Sequence, residues 1–120
     1  MLIGQTVLAP VSNTKKYYSP WFPRQGDECT VVIEVLRASG AMATFNCQVQ
    51  TKNKEDDDDP GSITNVGFAI AVSSDTAIIK TTTALRSGFL ELVRYEYTLA
   101  GSSAMRWVHF RALAPLWERN

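Results

Sequence analysis

His109 is the sole histidine of this 120-residue chain, so any Ser-His-Asp or Cys-His mechanism would have to run through it. Its setting argues against that chemistry. Val108 and Phe110 flank it in an alternating run, catalytic groups more often sit on loops at the end of a scaffold, and no Gly-x-Ser-x-Gly elbow accompanies it. The sequence supports a structural or interface histidine. Glycoside hydrolysis needs two carboxylates facing each other across a cleft. Glu34, Glu91, Glu96, Glu118 and the aspartates of 56–59 are the candidates, and no spacing marks two of them as such a pair. Glu55 and Asp56 to Asp59 offer oxygens to a hard cation such as calcium, but adjacent carboxylates point in different directions and repel. The interleaved ligands and sixth-position glycine of a calcium loop are missing. A charged, solvated loop is the better account, its charge reduced by Lys52 and Lys54. Cys29 and Cys47 are too few for a disulfide framework and too far apart for a Cys-x-x-Cys pair, and read as small buried hydrophobes. The sequence therefore assigns no catalytic residue, no cofactor and no metal ligand, and the chain reads as non-enzymatic.

The aromatic residues are the better candidates for function. Tyr17, Tyr18, Trp21 and Phe22 crowd into one short segment with Pro20 and Pro23, a composition that fits neither a regular helix nor a central strand. That segment is a packed lid or a contact surface. Trp and Tyr concentrate at protein interfaces and also form stacking platforms for sugar rings. Tyr17, Tyr18, Trp21, Phe22 and Trp117 are the expected partner-binding residues, with Arg94, Arg106, Arg111 and Arg119 as the arginines that suit such a surface.

The elements that must position them are strands. Phe45-Asn46-Cys47-Gln48-Val49-Gln50 alternates strictly, and the period of two recurs elsewhere while no helix-length pattern does. Cys29, Val31, Ile33 and Val35 form one face of a strand over 29–36, and Ala43, Phe45, Cys47 and Val49 that of another over 43–50; the two are expected to pair as a hairpin. Thr51 to Ser62 reads as a solvated acidic loop. Val66 to Val72 is a strand or a short helix, and Ala77 to Thr83 is β-branched. Later strands place Val93, Tyr95, Tyr97 and Leu99 on one face, then Val108, Phe110 and Ala112. Seven or eight strands at this spacing predict an all-β, single-domain antiparallel β-sandwich over 1–120, of jelly-roll or immunoglobulin-like topology. An N-terminal arm over 1–23 is expected.

Twelve basic residues balance twelve acidic ones, which removes the electrostatic footprint of a nucleic-acid or anionic-membrane binder. No apolar stretch approaches the length that spans a bilayer, and no basic segment followed by an apolar core opens the chain. Synthesis in the cytoplasm without export is the expectation, with proteins or neutral ligands as partners.

The run Trp21-Phe22-Pro23-Arg24-Gln25-Gly26-Asp27, the segment Val49-Gln50-Thr51-Lys52-Asn53-Lys54-Glu55-Asp56, and Leu92-Val93-Arg94-Tyr95-Glu96-Tyr97 followed by Trp107-Val108-His109-Phe110-Arg111 resemble small proteins of tailed-phage virions. In size and pattern the chain is most similar to capsid decoration, or cement, proteins with a jelly-roll-like sandwich. The resemblance implies a virion structural protein made in the host cytoplasm, a homo-oligomer that binds and stabilises a lattice of major capsid protein. It carries no residue-level signature. Two alternatives use the same surface: a carbohydrate-binding β-sandwich module, and a tail or head-closure component.

Overall fold

Wherever apolar and polar residues alternate, the backbone is extended and the apolar set turns inward. The computed structural model describes residues 2–8, 16–38, 42–58, 61–73, 80–101 and 107–118, with the backbone course alone at 2–8, 38, 42–43, 72–73, 80–83 and 101. Its strands are β1 (Leu2–Leu8), β2 (Lys16–Tyr18), β3 (Phe22–Pro23), β4 (Glu28–Ala38), β5 (Met42–Lys52), β6 (Thr64–Asn65), β7 (Ile70–Ser73), β8 (Lys80–Ser87), β9 (Leu92–Gly101), β10 (Val108–Leu113) and β11 (Leu116–Glu118). All pairings are antiparallel.

Several short strands are halves of one. β8 follows β4 from Glu28 to Val35, so β10, opposite 33–38, and β11, opposite 28–30, must share the other edge of β4. By the same argument β2 and β3 share the edge of β9 that β5 leaves open, and β6 and β7 share the far edge of β5. Counted this way the described residues form eight strand positions. Sheet A runs β1, β10/β11, β4, β8, and sheet B runs β2/β3, β9, β5, β6/β7. In chain order these are positions 1-8-3-6 and 2-7-4-5, the two interlocked four-stranded sheets of a jelly roll.

This order corrects three expectations. Strands β4 and β5 are not a hairpin: β4 lies in sheet A and β5 in sheet B. Alternation marks which face of a strand is buried but not which sheet it joins. Within the expected arm over 1–23, the described strands β1, β2 and β3 are hydrogen-bonded into the two sheets and are not free. Thr51 and Lys52 belong to β5 and are 1% and 7% exposed, so the acidic loop starts after them. The helical option for 66–72 gives way to β7, whose Ile70 pairs with Cys47. Ser73-Ser74-Asp75 reads as a turn signal in the sequence, and its last two residues lie outside the described ones.

Between the sheets, Cys29, Val31, Ile33, Val35, Phe110 and Ala112 from sheet A face Phe45, Cys47, Val49, Val93, Tyr95 and Leu99 from sheet B, all essentially inaccessible. Phe110 locks the two layers together: its ring centre is 4.7 Å from that of Phe45 and 4.7 Å from that of Tyr97. Removing such a side chain costs about 3–5 kcal/mol, through lost burial and the cavity left behind.

Candidate functional site

Two one-residue bulges decide which aromatics reach the surface. From Tyr18 to Phe22 the edge strand advances four residues, while its partner positions on β9, Glu96 to Val93, span three. The extra residue sits in the Ser19-Pro20-Trp21 link. Pro20 has no N–H to give a ladder, and Ser19 compensates: its N–H donates to the Tyr95 carbonyl (2.9 Å) and its Oγ accepts from the Tyr95 N–H (2.9 Å). In an uninterrupted strand, Tyr18 and Trp21 would point to opposite faces. The bulge brings both to the outer face of sheet B and turns Tyr17 and Phe22 inward, where they pack against the core. Phe22 meets Tyr95 edge-on at 5.6 Å.

The second bulge is at Ala114-Pro115. From Ala112 to Leu116 the chain advances four residues against three on β4, Ile33 to Thr30. Trp117 is thereby turned inward against Phe89, with ring centres 5.0 Å apart, and Leu116 is turned out, 63% exposed. Of the five expected contact residues, the structure thus gathers Tyr18 and Trp21 on one outer face and packs Tyr17, Phe22 and Trp117 against the core.

Around Tyr18 and Trp21 the side chains hold one another. The Arg94 guanidinium carbon lies 4.0 Å from the Tyr18 ring centre and 4.6 Å from that of Trp21. Its Nε donates to Gln50 Oε1 at 2.9 Å. Gln50 is 8% exposed, and its amide nitrogen donates to Asn65 Oδ1 (3.1 Å) and Glu96 Oε2 (3.3 Å). Lys52 runs beneath Trp21, Nζ 5.0 Å from the ring centre, and ends on Asp58 Oδ1 at 2.6 Å and the Asp56 carbonyl at 2.9 Å. The indole Nε1 of Trp21 donates to the same Asp58 oxygen at 3.2 Å. The hydrogen bond from Lys52 is the main reason the Asp58 carboxyl titrates below its ordinary 3.8, with the charges of Lys52 and Arg94 and the Trp21 bond acting in the same direction. Asp56 Oδ2 accepts from the Asn53 N–H at 3.3 Å. These acids of the loop are therefore turned toward the chain's own donors, and no three His, Cys, Asp or Glu side chains among the described residues converge as metal ligands.

Beside this stack the outer face of sheet B dips into a pocket of about 320 Å³, open on one side. Gln50, Asn65 and Glu96 line it together with Tyr18 and Arg94, and Lys16, Asp58 and Ile63 complete its lining. Lys16 Nζ is 3.8 Å from Glu96 Oε1.

Sheet A presents a different surface. Across it, Leu116 on β11, Thr30 on β4 and Leu85 on β8 stand in one register row, with Leu85 59% exposed. At the nearby sheet edge Phe68 is 91% exposed. Arg86 braces both neighbours: Nη1 donates to the Leu85 carbonyl (2.9 Å) and Nη2 to the Phe68 carbonyl (2.7 Å). Gly67, at φ +69°, makes this possible, since a Cβ there would stand 2.8 Å from Arg86 Nε in a backbone region that L side chains rarely adopt. Sequence reading missed Leu85, Leu116 and Phe68. A glycine directly before Phe68 was the one available signal.

The remaining candidates are dispersed. His109 is half-buried on β10, in register with Arg37 and Val7. Glu34 pairs with Arg111 at 3.2 Å, and Glu91 Oε1 accepts from the Lys54 N–H. Cys29 and Cys47 are free thiols with no exposure. Burial pushes Cys29 up to about 11 against the opposing charge of Arg86, and pushes Cys47 further in the same direction. Arg106 and Arg119 lie outside the described residues. Comparison with known proteins finds no matching family, no matching curated protein and no matching solved structure.

Proposed function

We propose that this chain is a non-enzymatic virion structural protein, a capsid decoration or cement protein that docks on a lattice of major capsid protein through the outer face of sheet A. The observation that carries the reading is the row Leu116, Thr30, Leu85, whose two leucines are 63% and 59% exposed on strands that flank β4 on either side. They stand about 10 Å apart, two inter-strand spacings. Exposed apolar side chains fixed side by side in a register row support a contact surface in a way that scattered ones do not. Phe68, whose carbonyl accepts from Arg86 of β8, adds an exposed aromatic residue in the neighbouring β6–β7 link, of the kind that dominates interface energies. A repeating lattice makes modest single-site affinity sufficient, particularly if the chain is itself an oligomer.

The test is co-sedimentation of the purified chain with shells of its cognate virus, paired with light scattering for its mass. Wild-type protein is expected to travel with the shells as a discrete oligomer and to raise their thermal stability. The double variant Leu85→Thr/Leu116→Thr keeps strand propensity and should fold within about 0.5 kcal/mol of wild type, yet stay at the top of the gradient. A monomer that ignores the shells, or a double variant that binds them like wild type, overturns the reading.

A further inference from the structure

The pocket on sheet B lies on the face opposite the leucine row, and its chemistry is of another kind. Two cations, Lys16 and Arg94, and two carboxylates, Asp58 and Glu96, line it in equal number. An anionic ligand such as a phosphate would meet both carboxylates, and an apolar anchor would meet mostly amides and charges. What the lining offers is paired donors and acceptors on planar groups held in place by one another: Gln50 is fixed by Arg94, Asn65 and Glu96, each of which has hydrogen-bonding capacity left over. A hydroxyl is a donor and an acceptor at once, so adjacent hydroxyls match such pairs. Tyr18 adds an aromatic ring that Arg94 stiffens and that is still 48% exposed. The apolar face of a sugar ring stacks on such a surface.

We infer that this pocket binds a neutral saccharide, its ring against Tyr18 and its hydroxyls on Gln50, Asn65 and Glu96. A volume of about 320 Å³ is at the small end of ligand pockets, which start at ~300 Å³, and suits a short glycan and not a folded partner. The side chains are positioned before any ligand arrives, which lowers the cost of ordering them. The site is independent of the docking row, so a shell-bound copy would carry it facing away from the lattice.

The test titrates the full chain with cellotriose, maltotriose and tri-N-acetylchitotriose, and with sialyllactose as an anionic probe, following the side-chain NH2 signals of Gln50 and Asn65 by NMR. At least one neutral trisaccharide is expected to shift both signals saturably with Kd of order 1 mM or tighter. Tyr18→Ala and Asn65→Ala should each weaken binding at least tenfold, while Leu85→Thr/Leu116→Thr should leave it unchanged. Both single variants change surface side chains, and their unfolding midpoints check that the fold survives. No saturable shift with any neutral probe, a preference for sialyllactose, or undiminished binding in both single variants would sink the inference. Loss of shell binding alone leaves it standing.

Discussion

Arg94 lays its guanidinium against the Tyr18 ring, 4.0 Å from centroid to carbon, across the boundary between an edge strand and the centre of its sheet. The contact joins β2 to β9 through side chains where the bulge at Ser19-Pro20 has broken the backbone ladder. It therefore acts as a clasp.

Arg94→Ala should lower stability by about 1–2 kcal/mol, the sum of a partly desolvated cation–π contact and one hydrogen bond to Gln50. Arg94→Lys retains charge but not the planar fork, and should fall between the two. Urea unfolding midpoints decide this; equal midpoints for all three proteins would mean the clasp contributes nothing.

Two buried hydroxyls should respond in opposite ways. Thr51 Oγ donates to the Leu92 carbonyl and accepts from the Leu90 N–H, both at 2.8 Å, so Thr51→Val strands two backbone groups and should cost about 2–3 kcal/mol. The Tyr97 hydroxyl is buried without a hydrogen-bond partner among the described residues, so Tyr97→Phe should be neutral or stabilising by up to about 1 kcal/mol. Thermal melts of the two variants give the comparison, and a Tyr97→Phe loss larger than the Thr51→Val loss would contradict it.

Acid should release the loop at Asp58. Its folded carboxyl titrates below the ordinary 3.8 because Lys52 donates to it, so the anchor is complete above the ordinary carboxylate range and is lost as pH falls through the depressed value. In Lys52→Met the Asp58 midpoint should move up toward 3.8, read by NMR titration of its carboxyl carbon. An unmoved midpoint would assign the depression to another donor.

Alkali should act on the core. Cys29 is held protonated up to about 11 by burial, while in the unfolded chain it ionises near 9, so stability is full below about pH 9 and falls as pH rises toward 11. Cys47, Tyr95 and Tyr97 are shifted upward by burial and add to the same loss. Urea midpoints measured from pH 8 to 11 should decline monotonically, and a thiol reagent at pH 8 should label neither cysteine until the protein unfolds.

The inward faces of β4, β5, β9 and β10 were legible from alternation alone, because a period of two sorts side chains by face whatever the partner strand. Sheet membership was not. Cys29 to Leu36 and Ala43 to Gln50 look like two arms of a hairpin, and only the long-range pairings of β4 with β10 and of β5 with β9 show that they belong to different sheets. At the site, the sequence did not settle which side chains face out. Tyr17, Tyr18, Trp21, Phe22 and Trp117 look alike as surface aromatics, and their facing depends on an extra residue at Ser19-Pro20 and at Ala114-Pro115. A proline announces such a break without fixing its register, which is set by where the partner strand resumes pairing. Leu85 and Leu116 escaped notice because both lie outside the stretches that the sequence marked as strands.

The position of β10 between β1 and β4 bears on how the protein comes into being on the ribosome. The described strands of sheet B have all emerged by residue 101, but β1 lacks its partner β10 until 108–113 follow, and before then β4 and β8 are the only described strands of sheet A that can pair. The inner face of sheet B, with Phe45, Tyr95 and Tyr97, stays uncovered on one side for that interval. Closure waits for the last strands to be synthesised, and a nascent chain stalled before Val108 would present a half-built sandwich to chaperones and to other chains.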